Sequence, residues 1–534
     1  MMLSDFDNTC VRKVSFLLIN VYTGVAYAKS LFYVIINTYD FTETIMRHLA
    51  MLLIFLGYIC ASSASWLVRK FGKLTYEQIV FHSNIPMDTD AGLIVSYLQN
   101  TVITATALIL ILRVSTSKIS KKHCLAVAVV FFIASLGWTY QKLNIGSLIA
   151  ERNSLQTYGD FYEQHYVEPQ GVAIVTPQHK RNLIMIFAES MESTYANTGY
   201  FDDNIIPNLT RLAEENTNFS HNDGLGGFQN IKGAKYTQAS LISQSCAIPL
   251  RLPINAARFH PQNGFLPKAT CLYDILARDG YDLTFMYGTL KQSSGTDKFF
   301  GTHGQPQIFD WNYYQKRDNL RANNIKKQKG KYVSLFKKAI RDDRLFMYAK
   351  EKIIEIAAKG KPFAFTMMTL DTHFGTEHFD SKNCQIKYHS KDFLDEQYFK
   401  NVVSCSDSKI ASFIEWIKQQ PFYENTEIVV VGDHLTMGDT IFNDTMDRSV
   451  YNVYINSAVK PDKTITKNRQ FTALDTMPTI LETMGYKIEG HKLGLGVSLV
   501  SGEKTLLENG LSVKELDQEL DKQSLIYNKL LYGK

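Results

Sequence analysis

Three apolar runs of this 534-residue chain stop at groups that bind metal or move protons. NLIMIF (Asn182–Phe187) leads into Ala188-Glu189-Ser190, FAFTMMTL (363–370) into Asp371-Thr372-His373, and EIVVVG (427–432) into Asp433-His434. Carboxylates grouped with an imidazole suit a divalent cation such as Mn²⁺, Mg²⁺ or Zn²⁺. Such a cation beside a hydroxyl lowers the hydroxyl's pKa and polarises a phosphoryl oxygen. The stretch KYTQASLISQSCAIPLRLP (235–253) holds two candidate attacking groups, Thr237 and, nine residues later, Cys246. A threonine hydroxyl is a weak nucleophile unaided and needs that kind of help. Taken singly, each residue has a plainer use: Glu189 as an acid at a helix start, Asp433 as a helix cap, His434 as a satisfied surface histidine. Their coincidence at the ends of three similar runs is what points to one site.

Those runs, with YDLTFMYG (281–288) and YNVYIN (451–456), alternate with helical stretches such as IPNLTRLAEENTNF and DDRLFMYAKEKIIEIAAKG. Continuous apolar strands between helices predict an α/β domain with a buried, mostly parallel sheet flanked by helices. Ligands of such sheets bind beyond the carboxyl ends of the strands, where Glu189, His373, Asp433 and His434 are expected.

The N-terminal part differs. Val14–Asn37, Ile45–Val68, Gly92–Leu112 and Leu125–Tyr140 each approach the roughly 20 residues that cross a bilayer. The expected organisation is a transmembrane domain of about four helices (1–145), a connector (146–180), the catalytic domain (181–505) and a C-terminal helical tail (506–534). Flanking Lys and Arg are evenly divided, so the positive-inside rule assigns no orientation. The net charge of +5 leaves no basic stripe, and no nucleic-acid partner is expected. Cys246, Cys271, Cys384 and Cys405 in the soluble part are compatible with two disulfides in an oxidising compartment or with four buried thiols; arithmetic leaves the pairing open, nearest neighbours being preferred.

In order along the chain, LIMIFAESMESTY, IPNLTRLA, SQSCAIPL, FLPKATCLYDIL, TLDTH, VVVGDH and FTALDTMPTILETMGY resemble the phosphoglycerol and phosphoethanolamine transferases of the alkaline phosphatase–sulfatase superfamily. Within that group the chain is most similar to the periplasmic-glucan phosphoglycerol transferases, and more distantly to lipoteichoic acid synthases. The resemblance implies a sulfatase-like catalytic domain in which Glu189, Thr237, Asp433 and His434 hold one or more divalent ions, Mn or Mg before Zn. It makes Thr237 the nucleophile, places His373 at the substrate phosphate or leaving group, and offers His303 and Arg448 as substrate contacts. It pairs Cys246 with Cys271 and Cys384 with Cys405. It implies a multi-pass protein of the bacterial inner membrane, its catalytic domain on the periplasmic or extracellular side. The donor would be phosphatidylglycerol or a related phospholipid, the acceptor a glycan hydroxyl. Lys235 and Tyr236 stand where this family would have a small, glycine-rich approach to the threonine.

Three other readings compete. A phosphoethanolamine transferase acting on a lipopolysaccharide or glycan would share the site and differ in headgroup. A sulfatase needs C-x-P-x-R, and Cys246-Ala247-Ile248-Pro249-Leu250-Arg251 is one residue too long between Cys and Pro. A non-catalytic membrane scaffold would not need Glu189, Thr237, Asp433 and His434 together.

Overall fold

The computed structural model describes residues 43–533, except 73, 77–78, 80–90, 116–120, 156, 198, 252–265, 293–294, 321–325, 329–330, 334–337, 374–376, 391–395, 437–441 and 443–445. The chain divides into two units, one of Met1–Trp66 and Tyr97–Leu143, the other of Leu67–Ser96 and Asn144–Lys534.

Three helices among the described residues, Ile45–Arg69, Ile94–Arg113 and His123–Lys142, are long and apolar enough to cross a membrane. They coincide with three of the four expected spans; the remaining one, Val14–Asn37, lies outside the described residues. Leu110, Val127, Val130 and Ile133 are 60–67% exposed, the outward apolar surface that lipid tolerates and water does not. Helix-to-helix contacts are close and partly polar. A Cβ on Gly57 would lie 3.1 Å from Ser135 Oγ, and Tyr58 donates a 3.1 Å hydrogen bond to Thr104 Oγ1.

The second unit is built on a six-stranded sheet. Its strands are β1 (Asn182–Ala188), β2 (Asp282–Tyr287), β3 (Gln307–Phe309), β4 (Phe363–Met368), β5 (Thr426–Gly432) and β6 (Asn452–Ile455). Their spatial order is β3-β2-β4-β1-β5-β6, parallel except for β6, which runs antiparallel to β5. The short strand β3 has no counterpart in the sequence reading, because QIF is too brief to carry a pattern and is partly exposed at the sheet edge.

Side chains alternate between two cores. Leu183, Met185 and Phe187 of β1 enter one, and Ile184, Ile186 and Ala188 enter the other. Both faces are covered, so the strands read as unbroken apolar runs. Helices α1 (Pro207–Glu215), α2 (Thr237–Cys246), α3 (Leu272–Arg278), α4 (Asp342–Ala357), α5 (Glu396–Lys418), α6 (Thr476–Thr483) and α7 (Val513–Asp521) supply the cover. Leucines and isoleucines of α2, α3, α6 and α7 join the first core, those of α1, α4 and α5 the second. On α5 the stripe Phe399, Val403, Ile410, Ile414 and Ile417 has the spacing of one helix face.

Candidate active site

Strand adjacency assembles the site. β1 lies between β4 and β5, so the three runs that end in functional groups are neighbours. Ala188 pairs with Gly432 at the last position of the β1–β5 ladder. The next residues, Glu189 and Asp433, therefore leave the sheet side by side. Gly432 has no side chain because a Cβ there would lie 2.1 Å from the Met191 carbonyl oxygen, where β5 passes the turn after β1.

That turn is held tightly. Ser190 adopts a left-handed backbone, φ 51°, which costs a residue with a Cβ some strain. In that conformation its N–H donates to Asp433 Oδ1 at 2.7 Å and its hydroxyl to Glu189 Oε1 at 2.8 Å. Asp433 Oδ1 also accepts the His434 N–H at 2.8 Å. Asp433 Oδ2 is buried and has no hydrogen-bond donor. His434 Nε2 lies 3.3 Å from it.

His434 is oriented by its own chain. Its Nδ1 lies 2.8 Å from the Leu435 carbonyl oxygen, an acceptor, so Nδ1 carries a proton and Nε2 is the nitrogen that faces the carboxylates. Thr237 is the first residue of α2, where helix N–H groups lack intrahelical acceptors and favour an anion. Its Oγ1 lies 3.3 Å from His434 Nε2 and 3.5 Å from Glu189 Oε2.

Glu189, Asp433 and His434 are at most 2% exposed, and their ligand atoms lie within 4.8 Å of one another. Burial, then the facing Asp433, pushes the Glu189 carboxyl well above its usual range. Two buried carboxylates, one with an unsatisfied oxygen, and an imidazole nitrogen converge here. This donor set fits a divalent metal ion.

The other expected site residues are distributed differently. His373 lies on the turn after β4, half-buried, its N–H on the Leu370 carbonyl. His303 is 1% exposed, with Nδ1 2.8 Å from Asp274 Oδ2. Cys271, Asp274 and His303 also cluster, but Cys271 is bonded to Cys246 and has no thiolate to offer a metal. Arg448 makes a two-point ion pair with Glu192, its Nε 2.9 Å from Oε2. Cys384 and Cys405 form a second disulfide, tying the turn at residues 380–384 to α5.

Supporting residues passed unnoticed in the sequence. Glu192 Oε1 accepts the Thr436 N–H at 2.9 Å, and Arg448 donates to the Thr436 carbonyl at 2.9 Å, so the pair brackets the loop just after His434. The spacing Glu189-x-x-Glu192 was its only signal. Ser240 and Gln244 of α2 donate to the carbonyls of Asp433 and Gly432. Asp342 accepts the N–H groups of Leu370 and Asp371 at 2.8 and 3.1 Å, fixing the turn that bears His373. Burial first, and then Asp371, pushes the Asp342 carboxyl up to about 7. Nothing in its run of charges, RDDR, marks it out.

Two carboxylates, one imidazole and a helix-borne hydroxyl meet beyond the carboxyl edge of a mostly parallel sheet, a donor set with the chemistry to bind a divalent cation. Residues 181–486, more than half of the chain, match the family model described as Sulfatase, and the chain belongs to that family. It is similar to phosphoglycerol transferase I of Shigella flexneri, 31% identical over 356 residues, covering 66% of this chain and 43% of that one. The chain thus spans less than half the length of the curated relatives it matches. Solved structures of similar fold include the lipoteichoic acid synthase LtaP from Listeria monocytogenes (16% identical, TM-score 0.46, covering 62% of this chain and 79% of that chain). Another is lipooligosaccharide phosphoethanolamine transferase A from Neisseria meningitidis (13% identical, TM-score 0.45, covering 82% and 84%).

Proposed function

We propose that this chain transfers a phosphoglycerol group from phosphatidylglycerol to a glycan hydroxyl through a covalent intermediate on Thr237. The observation that carries the reading is the position of Thr237 Oγ1, 3.3 Å from His434 Nε2 and 3.5 Å from Glu189 Oε2 at a helix N-terminus. The curated relatives named phosphoglycerol transferase I support it.

Glu189, Asp433, His434 and Thr237 would hold a divalent cation, Mn or Mg before Zn. When bound it supplies positive charge that favours the threonine alkoxide and the oxygens of a phosphoryl group. Thr237 Oγ attacks phosphorus, its proton passing to solvent water, and the bond from phosphorus to the diacylglycerol oxygen breaks. His373 is the group proposed to return a proton to that oxygen. In the second step the acceptor hydroxyl attacks the same phosphorus and gives its proton to the now deprotonated His373, while the bond from phosphorus to Thr237 Oγ breaks and that oxygen takes a proton from solvent water. The free N–H groups of the first turn of α2 bind phosphoryl oxygens in both steps. His303 and Arg448, the expected substrate contacts, are engaged by Asp274, which is partly buried, and by Glu192, which is buried.

The apolar helices would anchor the protein in the bacterial inner membrane beside its lipid donor, raising the donor's effective concentration. Two disulfides favour an oxidising compartment for the catalytic unit and hence a periplasmic or extracellular position. The test is the mass of the adduct formed on Thr237 after exposure to a bacterial lipid extract. Glycerophosphate is expected. Phosphoethanolamine would establish the alternative headgroup, and an unmodified Thr237 beside continued diacylglycerol release would overturn the nucleophile.

A further inference from the structure

The helix that carries Thr237 is gripped on both sides by the C-terminal helices. On the way in, the turn Lys232–Ala234 precedes Thr237. Lys232 donates its backbone N–H to Asp517 Oδ1 at 2.8 Å and its Nζ to Asp521 Oδ2, also at 2.8 Å. On the way out, the Arg251 guanidinium pairs with Asp521 Oδ1. The Tyr527 hydroxyl accepts the Arg251 N–H at 2.6 Å and lies 3.0 Å from the carbonyl oxygens of Pro249 and Arg251.

The entering and leaving segments also touch each other. Leu250 N–H and Ser243 Oγ both donate to the Gly233 carbonyl, at 3.1 and 2.9 Å. A Cβ on Gly233 would lie 2.3 Å from Pro249 Cβ. Asp521 therefore holds one cation from each segment. Asp517 and Asp521 are four residues apart on α7 and share its buried face with Leu516 and Leu520. Leucines alone would seat this helix on the core. Buried aspartates are costly to desolvate and, unlike leucines, fix direction and register. Lys235, immediately upstream of Tyr236, lies within electrostatic range of Asp517.

We propose that Asp517 and Asp521 are positioning residues for Thr237, acting through Lys232 and Arg251, so that the C-terminal tail is part of the catalytic unit. This rests on Thr237 being the nucleophile. Small displacements of a nucleophile cost large factors in rate without changing the fold.

The experiment uses the full-length protein in detergent with a bacterial lipid extract. It compares Lys232→Met, Lys232→Arg and Asp521→Asn for the rate of adduct formation on Thr237, kcat and KM for diacylglycerol release, Mn²⁺ affinity and melting temperature. Lys232→Met is expected to slow adduct formation and kcat about tenfold, with KM and Mn²⁺ affinity within about twofold and the melting temperature unchanged. Lys232→Arg should recover most of the rate. If Asp521→Asn, which leaves Arg251 without its ion pair, fails to accumulate, Lys232→Met decides the matter. Wild-type rates in Lys232→Met, or a loss that only tracks melting temperature, would overturn the proposal. An adduct that still forms in Thr237→Ala defeats the nucleophile assignment instead. An inactive Thr237→Ala beside an unaffected Lys232→Met defeats the positioning role alone.

Discussion

Glu192, fully buried, and Arg448, partly buried, form a two-point ion pair that closes on both the N–H and the carbonyl of Thr436, two residues after His434. The arginine that sequence reasoning set aside for substrate is thereby engaged in holding a loop of the candidate metal site. Arg448→Met leaves Glu192 as an unpaired buried carboxylate and frees that loop. The expected result is a Mn²⁺ affinity about 10–100-fold weaker, in line with other outer-shell partners of metal ligands. Equilibrium metal binding checks this. A raised KM with unchanged metal affinity would instead return Arg448 to the substrate.

Asp433→Asn should separate metal binding from folding. An asparagine Oδ1 still accepts from Ser190 and His434, so the turn is retained. One of two facing buried carboxylates is removed, which relieves their repulsion. In EDTA the variant should melt at or above the parent's temperature. With Mn²⁺ added, the parent should gain stability and the variant should not. A variant less stable than its parent in EDTA would contradict this reading of the site.

Thiol chemistry can be tested against threonine chemistry. Cys246 is fully buried and bonded to Cys271, 25 positions further along the chain. A double Cys246→Ala/Cys271→Ala variant is expected to lose roughly 3 kcal/mol of stability, from restored freedom of the unfolded loop. Measured below its lowered melting temperature, it should keep most of its transfer rate. Complete loss of turnover in a folded variant would make Cys246 part of the chemistry.

Stability should fall as pH rises through the neutral range because of Glu427. Its side chain, at the amino end of β5, is buried, accepts from Ser457 Oγ at 2.8 Å, and has no donor to its second oxygen. Burial pushes its carboxyl from 4.5 up to about 8. The folded state thus keeps a proton that the unfolded state loses. This group's contribution is full below about pH 4.5 and declines until about pH 8. Glu427→Gln, a neutral mimic of the protonated acid, should flatten that slope. It should exceed the parent at pH 8 by up to a few kcal/mol in urea unfolding and match it near pH 4. Parallel pH profiles for the two proteins would refute the assignment.

Much of this molecule is legible without coordinates. The strand at Asn182–Ala188 and the strand at Thr426–Gly432 announce themselves because both faces are buried, so every residue is under the same demand to be apolar. The change to Glu189 and to Asp433-His434 marks where burial against the sheet gives way to a site. The three apolar helices are equally plain, since a bilayer imposes length and composition directly. Tertiary structure decided which strands are neighbours. Long crossovers leave strand order open, and only the β4-β1-β5 adjacency brings Glu189, Asp433 and the His373 turn to one edge. It also decided what local pattern cannot express: that Thr237 meets His434 across 197 residues, that Arg448 belongs to Glu192, and that the tail aspartates reach the turn before Thr237. Local sequence reports the burial each residue must satisfy; the partner that satisfies a buried charge is chosen only when the chain closes on itself.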